Sequence, residues 1–129
     1  MAIDCKAVLT VGDTLFAAGD EPSMRSGVSR HYYGSYHALK TWQAALPGMA
    51  SLGPPGGGMH EQFYHQLRHP DKLCSNAQNI KSRTLAAHFL ALKARRVAAD
   101  YHLSQDLAAG DFVDQQLLAH QVVGDCSVP

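Results

Sequence analysis

Several features that define common protein classes are scarce or missing in this sequence. Its 129 residues include three cysteines, Cys5, Cys74 and Cys126, which lie far apart and form no Cys-x-x-Cys pair. This argues against a disulfide framework or a cysteine zinc site and fits reduced thiols in a cytoplasm. No apolar run approaches the ~20 residues that a membrane span requires. No segment of useful length alternates apolar and polar residues as a half-buried strand would.

The chain also does not begin with a basic segment followed by an apolar core, so we expect no signal peptide. Its first residues read MAIDCKAVLTVGD. At 129 residues the sequence suits one domain, 1–129, and is long enough to bury a core. With 46% hydrophobic and 17% charged residues, it is expected to be an ordinary soluble cytoplasmic protein.

Net charge is absent as well, which argues against indiscriminate binding to nucleic acid. The charges are unevenly distributed along the chain. Residues 1–21 hold one base and four acids, and residues 100–129 hold five acids and no base, whereas residues 22–99 hold ten bases and two acids. The middle segment could present a basic face suited to phosphates, or the acidic ends could neutralise it in the folded state. Both interpretations stay open at this point.

Apolar periodicity predicts four or five helices. The first, from about residue 3 to residue 18, rests on a stripe that repeats about every four positions: Ile3, Ala7, Val11, Leu15 and Ala18. The second, from about residue 21 to residue 46, has a longer core stripe: Val28, Tyr32, Ser35, Leu39, Trp42 and Leu46. A different face of the second helix carries small residues: Gly27, Gly34, Ala38 and Ala45. Another helix could approach closely there, either the long fourth helix or a second copy of the chain.

A loop rich in glycine and proline, 47–58, follows the second helix and could act as a mobile flap. A short helix is predicted over 59–69 and ends before Pro70. A long helix over 77–102 has two apolar faces and is expected to be central. A last helix, 112–124, leaves a flexible tail at 125–129. The predicted fold is therefore all-α, a four- to five-helix up-and-down bundle.

Polar groups are concentrated at the end of the long helix. Arg95, Arg96, Asp100, Tyr101 and His102 lie within two turns, and because unpaired burial of so many polar groups is costly, they should face a cleft or a partner. RNA cleavage through the 2′-hydroxyl needs an acid, a base and a cation, which imidazole and guanidinium groups supply. A structural interpretation fits the same residues: an intrahelical Arg96–Asp100 pair, Tyr101 in the core and His102 exposed at the helix end.

Two other pairs of residues are candidates. His65 and His69 are four residues apart and could share a metal ion, although a solvated face is the interpretation that we adopt, so no metal or cofactor is predicted. Arg30 and His37 are seven residues apart and lie on one side of the second helix. They are further candidates for a functional site, or else solvated surface groups.

Three motifs together carry a resemblance to a known family. The stretch RHYYGSYHA at 30–38, the tripeptide GMH at 58–60 and the stretch RVAADY at 96–101 occur in this order. Over roughly residues 25–124 the chain resembles the HEPN domains (higher eukaryote and prokaryote nucleotide-binding). The resemblance implies an α-helical bundle, often a homodimer, and frequently one half of a toxin–antitoxin or phage-defence system whose partner is a minimal nucleotidyltransferase. It also implies RNA- or nucleotide-binding roles for four residues: Arg30, Tyr33, His37 and His60.

Catalytic members of that family are metal-independent endoribonucleases that use an Arg followed, after four to six residues, by a His. Arg96 precedes His102 by five intervening residues, and Arg95 precedes it by six. We therefore expect a cleft at a homodimer interface, formed by Arg95, Arg96 and His102 of each copy and oriented by Asp100 and Tyr101. Asp100 stands where active toxins similar to this chain usually have a His. The alternative is a non-catalytic HEPN module that binds a nucleotide or a nucleotidyltransferase partner.

Overall fold

The protein folds as five helices in a computed structural model that describes residues 4–51, 53 and 56–128. The helices are α1 (Cys5–Ala17), α2 (Glu21–Ala44), α3 (Met59–Arg68), α4 (Asn76–Tyr101) and α5 (Ala109–Cys126). No strand occurs among the described residues, which confirms the all-α bundle predicted from the sequence. No helix in the described part of the chain combines the length and apolar character needed to cross a membrane.

Local capping explains where the two longest helices begin. The Asp20 carboxylate accepts a hydrogen bond from the Ser23 amide at 3.0 Å at the start of α2. At the start of α4 the Ser75 hydroxyl accepts from the Gln78 amide at 3.1 Å, and the Gln78 side chain accepts from the Ser75 amide at 2.8 Å. This reciprocal capping box satisfies two amides that would otherwise lack partners.

The sequence predicted that the long helix α4 would lie at the centre of the bundle. In the structure this position belongs to α2. α2 packs against α1, α4 and α5 and buries twelve residues, whereas α4 buries six. Only one of the two predicted apolar faces of α4 is covered: Leu85, Phe89 and Leu92 are buried, but Ala87 and Ala94 are exposed. None of the described helices covers Ala87 or Ala94 on this face.

α1 crosses α2 at a point where glycines make the approach possible. A Cβ atom on Gly27 would lie 2.9 Å from the carbonyl oxygen of Gly12, and one on Gly34 would lie 2.8 Å from Leu9 Cδ2. The small-residue face of α2 thus receives α1, which corrects the prediction that the long helix or a second copy would fill it. The connection between the two helices is only three residues long, and this short link places them side by side.

The core-facing side of α1 also differs from the predicted stripe. Val11 is 51% exposed and Ala7 is exposed, while Leu9 and Gly12 are buried. α1 contacts α2 through Gly12, which has no side chain. A pattern of repeating bulky apolar residues therefore cannot reveal this contact. Ile3, the first residue of that stripe, lies outside the described residues.

Helix ends differ from the predicted ones by small amounts except in α5. That helix begins at Ala109, three residues before the predicted start, where the Asp111 carboxylate accepts from the Ala108 amide at 3.2 Å. It continues to Cys126, two residues into the predicted tail. Residues 52, 54 and 55 of the predicted loop, and residue 129 of the tail, are outside the described residues.

Candidate functional site

The three motifs singled out in the sequence meet in space. Tyr32, Tyr33 and Tyr36 come from consecutive turns of α2, and His60 is the second residue of α3. The His60 ring centroid is 4.7 Å from that of Tyr36 and 5.6 Å from that of Tyr32. Tyr32 also forms a short hydrogen bond through its hydroxyl with Nδ1 of His60. α4 completes the group with Arg96.

Arg96 is the centre of this group. Its Nη2 atom donates to the Tyr33 hydroxyl at 2.9 Å and to the Tyr101 hydroxyl at 3.4 Å. The guanidinium carbon lies 5.1 Å from the ring centroid of Tyr101, 5.4 Å from that of Tyr33 and 5.8 Å from that of Tyr32. These distances are within the range of cation–π attraction. The aromatic rings therefore hold the guanidinium from several sides.

A carboxylate fixes the remaining side of the guanidinium. Nε of Arg96 is 2.9 Å from Oδ2 of Asp100, one helical turn later, although the N–H direction is not aligned for a hydrogen bond. The Ser29 hydroxyl on α2 donates to the same carboxylate oxygen at 3.3 Å. No described residue accepts a hydrogen bond from Nη1 of Arg96. This nitrogen is the donor that remains available to a ligand.

We refer to these residues as the Arg96 cluster. Its members come from α2, α3 and α4: Ser29, Tyr32, Tyr33, Tyr36, His60, Arg96, Asp100 and Tyr101. The Arg96 side chain is 17% exposed and that of Asp100 is 28% exposed, so the pair is only partly reached by solvent. Tyr101 is 67% exposed and forms the open edge of the cluster.

Positive charge surrounds the cluster. Burial lowers the pKa of His60, and the charges of Arg96, Lys93 and Lys40 lower this pKa further. Burial raises the pKa of Tyr32 well above its ordinary value, so its phenol stays protonated at neutral pH. The Tyr32 hydroxyl can then donate to Nδ1 of a neutral His60, which leaves the ring proton on Nε2.

Two other cations lie over the rings of the same face of α2. The Arg30 guanidinium is 5.4 Å from the Tyr33 ring centroid, and the Lys40 ammonium is 5.4 Å from that of Tyr36. His37, also predicted as a binding residue, is exposed, and its ring centroid is 5.4 Å from that of Tyr36. The RNA- or nucleotide-binding candidates thus lie in or beside the Arg96 cluster.

The catalytic candidates, in contrast, are divided between different surroundings. Arg96, Asp100 and Tyr101 are together, but Nη1 of Arg95 donates to Oε1 of Gln115 on α5 at 3.4 Å. His102 is exposed just after the end of α4 and lies in an open groove beside Lys93 and Val97 of that helix. None of the contacts described for His102 reaches Arg96 within one chain.

Sequence reasoning missed Arg25, which fixes the end of α4 relative to α2. Its Nη1 atom donates to the carbonyls of Ala98 and Ala99 at 3.3 and 3.2 Å, and to that of His102 at 3.3 Å. These acceptors are more than 70 residues away along the chain, so no local motif could have revealed them. Arg25 thereby positions the turn of α4 that carries Asp100.

A separate apolar cleft of about 190 Å³ lies at another part of the bundle, between α2 and α4, beside Trp42, Leu46 and Lys81. The Lys81 ammonium lies 5.5 Å from the centroid of one of its walls, the Trp42 ring, and donates to the Val128 carbonyl at 2.9 Å. This cleft lacks the convergent polar groups of the Arg96 cluster, and we regard the cluster as the better candidate site.

No protein-family model matches this chain, and no curated protein or solved structure matches it with significant similarity. The fold is a helical bundle, and the cluster places the Arg96 guanidinium among tyrosine rings. The resemblance to HEPN domains therefore depends on the three motifs themselves.

Proposed function

We propose that the chain is a HEPN-like module that binds RNA or a nucleotide at the Arg96 cluster. The observation that carries this proposal is the Arg96 guanidinium, which three tyrosine rings and Asp100 hold in one orientation while Nη1 has no hydrogen-bond partner among the described residues. A guanidinium fixed in this way can bind a phosphate oxygen without first losing much side-chain freedom.

The surroundings suit the other parts of a nucleotide. The exposed Tyr101 ring offers a face on which a base can stack, a contact that every base can make. Lys40 and Lys93 add positive charge near His60, which favours further phosphates. Asp100 is the carboxylate in contact with Arg96, and it limits the net positive charge at this point.

The meeting of the three motifs supports the assignment to the HEPN family independently of composition. Residues that are 28 and 63 positions apart in the sequence contact one another here, as the Tyr32–His60 and Tyr33–Arg96 hydrogen bonds show. The resemblance would also make the chain a homodimer or the partner of a minimal nucleotidyltransferase in a toxin–antitoxin or phage-defence system. The homodimer and the nucleotidyltransferase complex are both part of the proposal.

Metal-independent endoribonuclease activity is a second candidate function, favoured by the state of His60. A general base must be neutral at the working pH and must have a free lone pair. The lowered pKa of His60 keeps its imidazole neutral next to Arg96, and in the tautomer that donates from Nδ1 to the Tyr32 hydroxyl the lone pair of Nε2 can accept a proton. His102 could add a second imidazole from another copy of the chain, because its side chain is exposed at the end of α4. Two imidazoles and a guanidinium would supply base, acid and charge stabilisation.

Binding can be tested with a fluorescently labelled single-stranded RNA and a matched pair of variants. Arg96→Gln should weaken binding by about 10- to 100-fold, because a charge-assisted hydrogen bond to phosphate contributes about 1.5–3 kcal/mol. Arg83→Gln removes the same charge from an exposed position on the same helix and should change affinity far less. Equal losses in the two variants would show that only overall charge matters and would refute the site.

Cleavage is tested separately, with total RNA and excess chelator. If the protein is a nuclease, it should cut RNA under these conditions, and Arg96→Gln should abolish cutting. Comparison of His60→Asn with His102→Ala then identifies the imidazole that acts. Binding without cleavage by the wild-type protein would leave the non-catalytic module and exclude the nuclease.

A further inference from the structure

A second polar cluster joins three helices and shares no residue with the Arg96 cluster. Asp13 lies on α1, His31 on α2 and His120 on α5. Nε2 of His31 is 2.7 Å from Oδ1 of Asp13, and Nε2 of His120 is 2.9 Å from Oδ2. One ligand atom from each of the three residues lies within 4.8 Å of the others. The three donor atoms therefore lie close enough together to share one ion.

Burial of the three side chains is graded from inside to outside. The His31 side chain is 1% exposed, that of Asp13 33% and that of His120 48%. Solvent can thus reach the centre from the side of His120 and Asp13. Gly12 leaves room beside the inner ligand, because a Cβ atom there would lie 2.8 Å from both Cδ2 and Nε2 of the His31 ring.

The carboxylate is also oriented by a neighbour outside the triad. The Gln116 amide donates to Oδ1 of Asp13 at 2.9 Å. Residues that hydrogen-bond a ligand in this way fix the direction of its lone pairs and are a regular feature of metal centres. The helices therefore hold the donor atoms in place before any ion arrives.

We propose that Asp13, His31 and His120 form a binding site for a divalent transition-metal ion, best suited to zinc. Two imidazole nitrogens and one carboxylate oxygen are a common three-ligand set for zinc, with water in the fourth position. Zinc–ligand distances of about 2.0–2.2 Å in a tetrahedron separate the ligand atoms by about 3.3 Å. The imidazole–carboxylate separations of 2.7–3.1 Å need only open by a few tenths of an ångström as the ion replaces the hydrogen-bonded protons, and the two imidazole nitrogens lie within 4.8 Å of each other.

One feature sets the expected strength of binding. When zinc occupies Nε2 of His31, the ring proton must reside on Nδ1, which is buried and has no hydrogen-bond partner among the described residues. Loss of such a partner usually weakens a site by about 10- to 100-fold. Starting from the weaker structural zinc sites, we expect a dissociation constant of about 1 μM near neutral pH.

The test is calorimetric titration of the tag-free protein with zinc chloride. The expected result is one zinc ion per chain in the micromolar range, and visible absorption bands of tetrahedral cobalt when cobalt is added instead. His120→Ala should weaken zinc binding at least about tenfold, because it removes a ligand from a half-exposed position without disturbing the core. Asp13→Asn should weaken it similarly while keeping the shape of the side chain.

The matched control is the double variant His65→Ala/His69→Ala. These two rings, on α3 and just after it, have centroids 4.3 Å apart and were the candidate metal-binding pair in the sequence. Binding that persists in this control and is lost in His120→Ala supports the proposed site. Absence of binding by the wild-type protein, loss only in the control, or unchanged binding by both triad variants would each overturn it. Circular dichroism establishes that every variant is folded.

Discussion

Replacement of Arg25 by methionine should strongly destabilise the fold. Arg25 is buried, and its guanidinium joins the start of α2 to the last carbonyls of α4 and to the following turn. It also donates to the Gln105 carbonyl through a short hydrogen bond and pairs with Glu21 at 3.0 Å. Methionine keeps most of the apolar stem but none of the donors.

The size of the effect follows from the acceptors left behind. The last carbonyls of a helix lack intrahelical donors, and the Ala99 carbonyl of α4 accepts from this guanidinium, whereas the Ala98 carbonyl also accepts from the His102 amide at 3.2 Å. Hydrogen bonds from a charged group contribute about 1.5–3 kcal/mol each, but water can reach part of this region once the side chain is shorter. We therefore expect a loss of about 3–4 kcal/mol in the free energy of unfolding, within the range for breaking a buried charged network.

Urea denaturation followed by circular dichroism measures this loss. The matched control is Arg30→Met, which removes the same group from an exposed position on the same helix, where its contact is the Tyr33 ring. That contact is expected to contribute less than about 1 kcal/mol. A loss below about 1 kcal/mol for Arg25→Met, or equal losses in the two variants, would refute the view that Arg25 holds the end of α4.

Two further predictions concern the helix crossing and the cluster. Gly27→Ala should destabilise the protein by about 1–2 kcal/mol in the same urea assay, because its Cβ would meet the Gly12 carbonyl and this clash exceeds the helix-propensity gain of about 1 kcal/mol. The control Gly124→Ala has open space around it and should instead stabilise the protein by about 0.5–1 kcal/mol. If Gly27→Ala stabilised the protein and Gly124→Ala destabilised it, the close crossing of α1 and α2 would be contradicted. In an NMR titration the pKa of His60 should lie below its ordinary 6.5, and Arg96→Gln should raise it. Between that lowered value and 6.5 the unfolded chain binds more protons than the folded one, so this group's contribution to stability falls as pH drops through the interval. A His60 pKa at or above 6.5 would contradict the proposed surroundings.

The fold was predictable where bulky residues recur at helical spacing. In α2 the predicted core positions Val28, Tyr32, Leu39 and Trp42 are all buried. Such a stripe is written in the sequence because each member must contact the core through its own side chain. The position of α1 was not predictable in the same way, because Gly12 makes its contact through the absence of a side chain.

The candidate site was also predictable only in part. The three segments that contribute Tyr33, His60 and Arg96 could be singled out in the sequence because they carry the resemblance to HEPN domains. The sequence could not separate Arg95 from Arg96, although successive helix residues point about 100° apart. The structure directs Arg95 toward Gln115 and Arg96 toward the tyrosines.

The end of α4 carries both the contacts of Arg25 and the proposed RNA-binding site, so variants there can affect stability and the proposed binding together. From α2, Arg25 holds the carbonyls of this turn, and Ser29, one helical turn later, holds the Asp100 carboxylate that contacts Arg96. A variant at Arg25 should therefore weaken the proposed RNA binding without itself contacting RNA, because the guanidinium of Arg96 would lose its fixed orientation. The loss of affinity in an Arg25 variant should become smaller under conditions that stabilise the end of α4. The loss of affinity in a variant without the Arg96 charge should persist under all conditions in which the protein is folded.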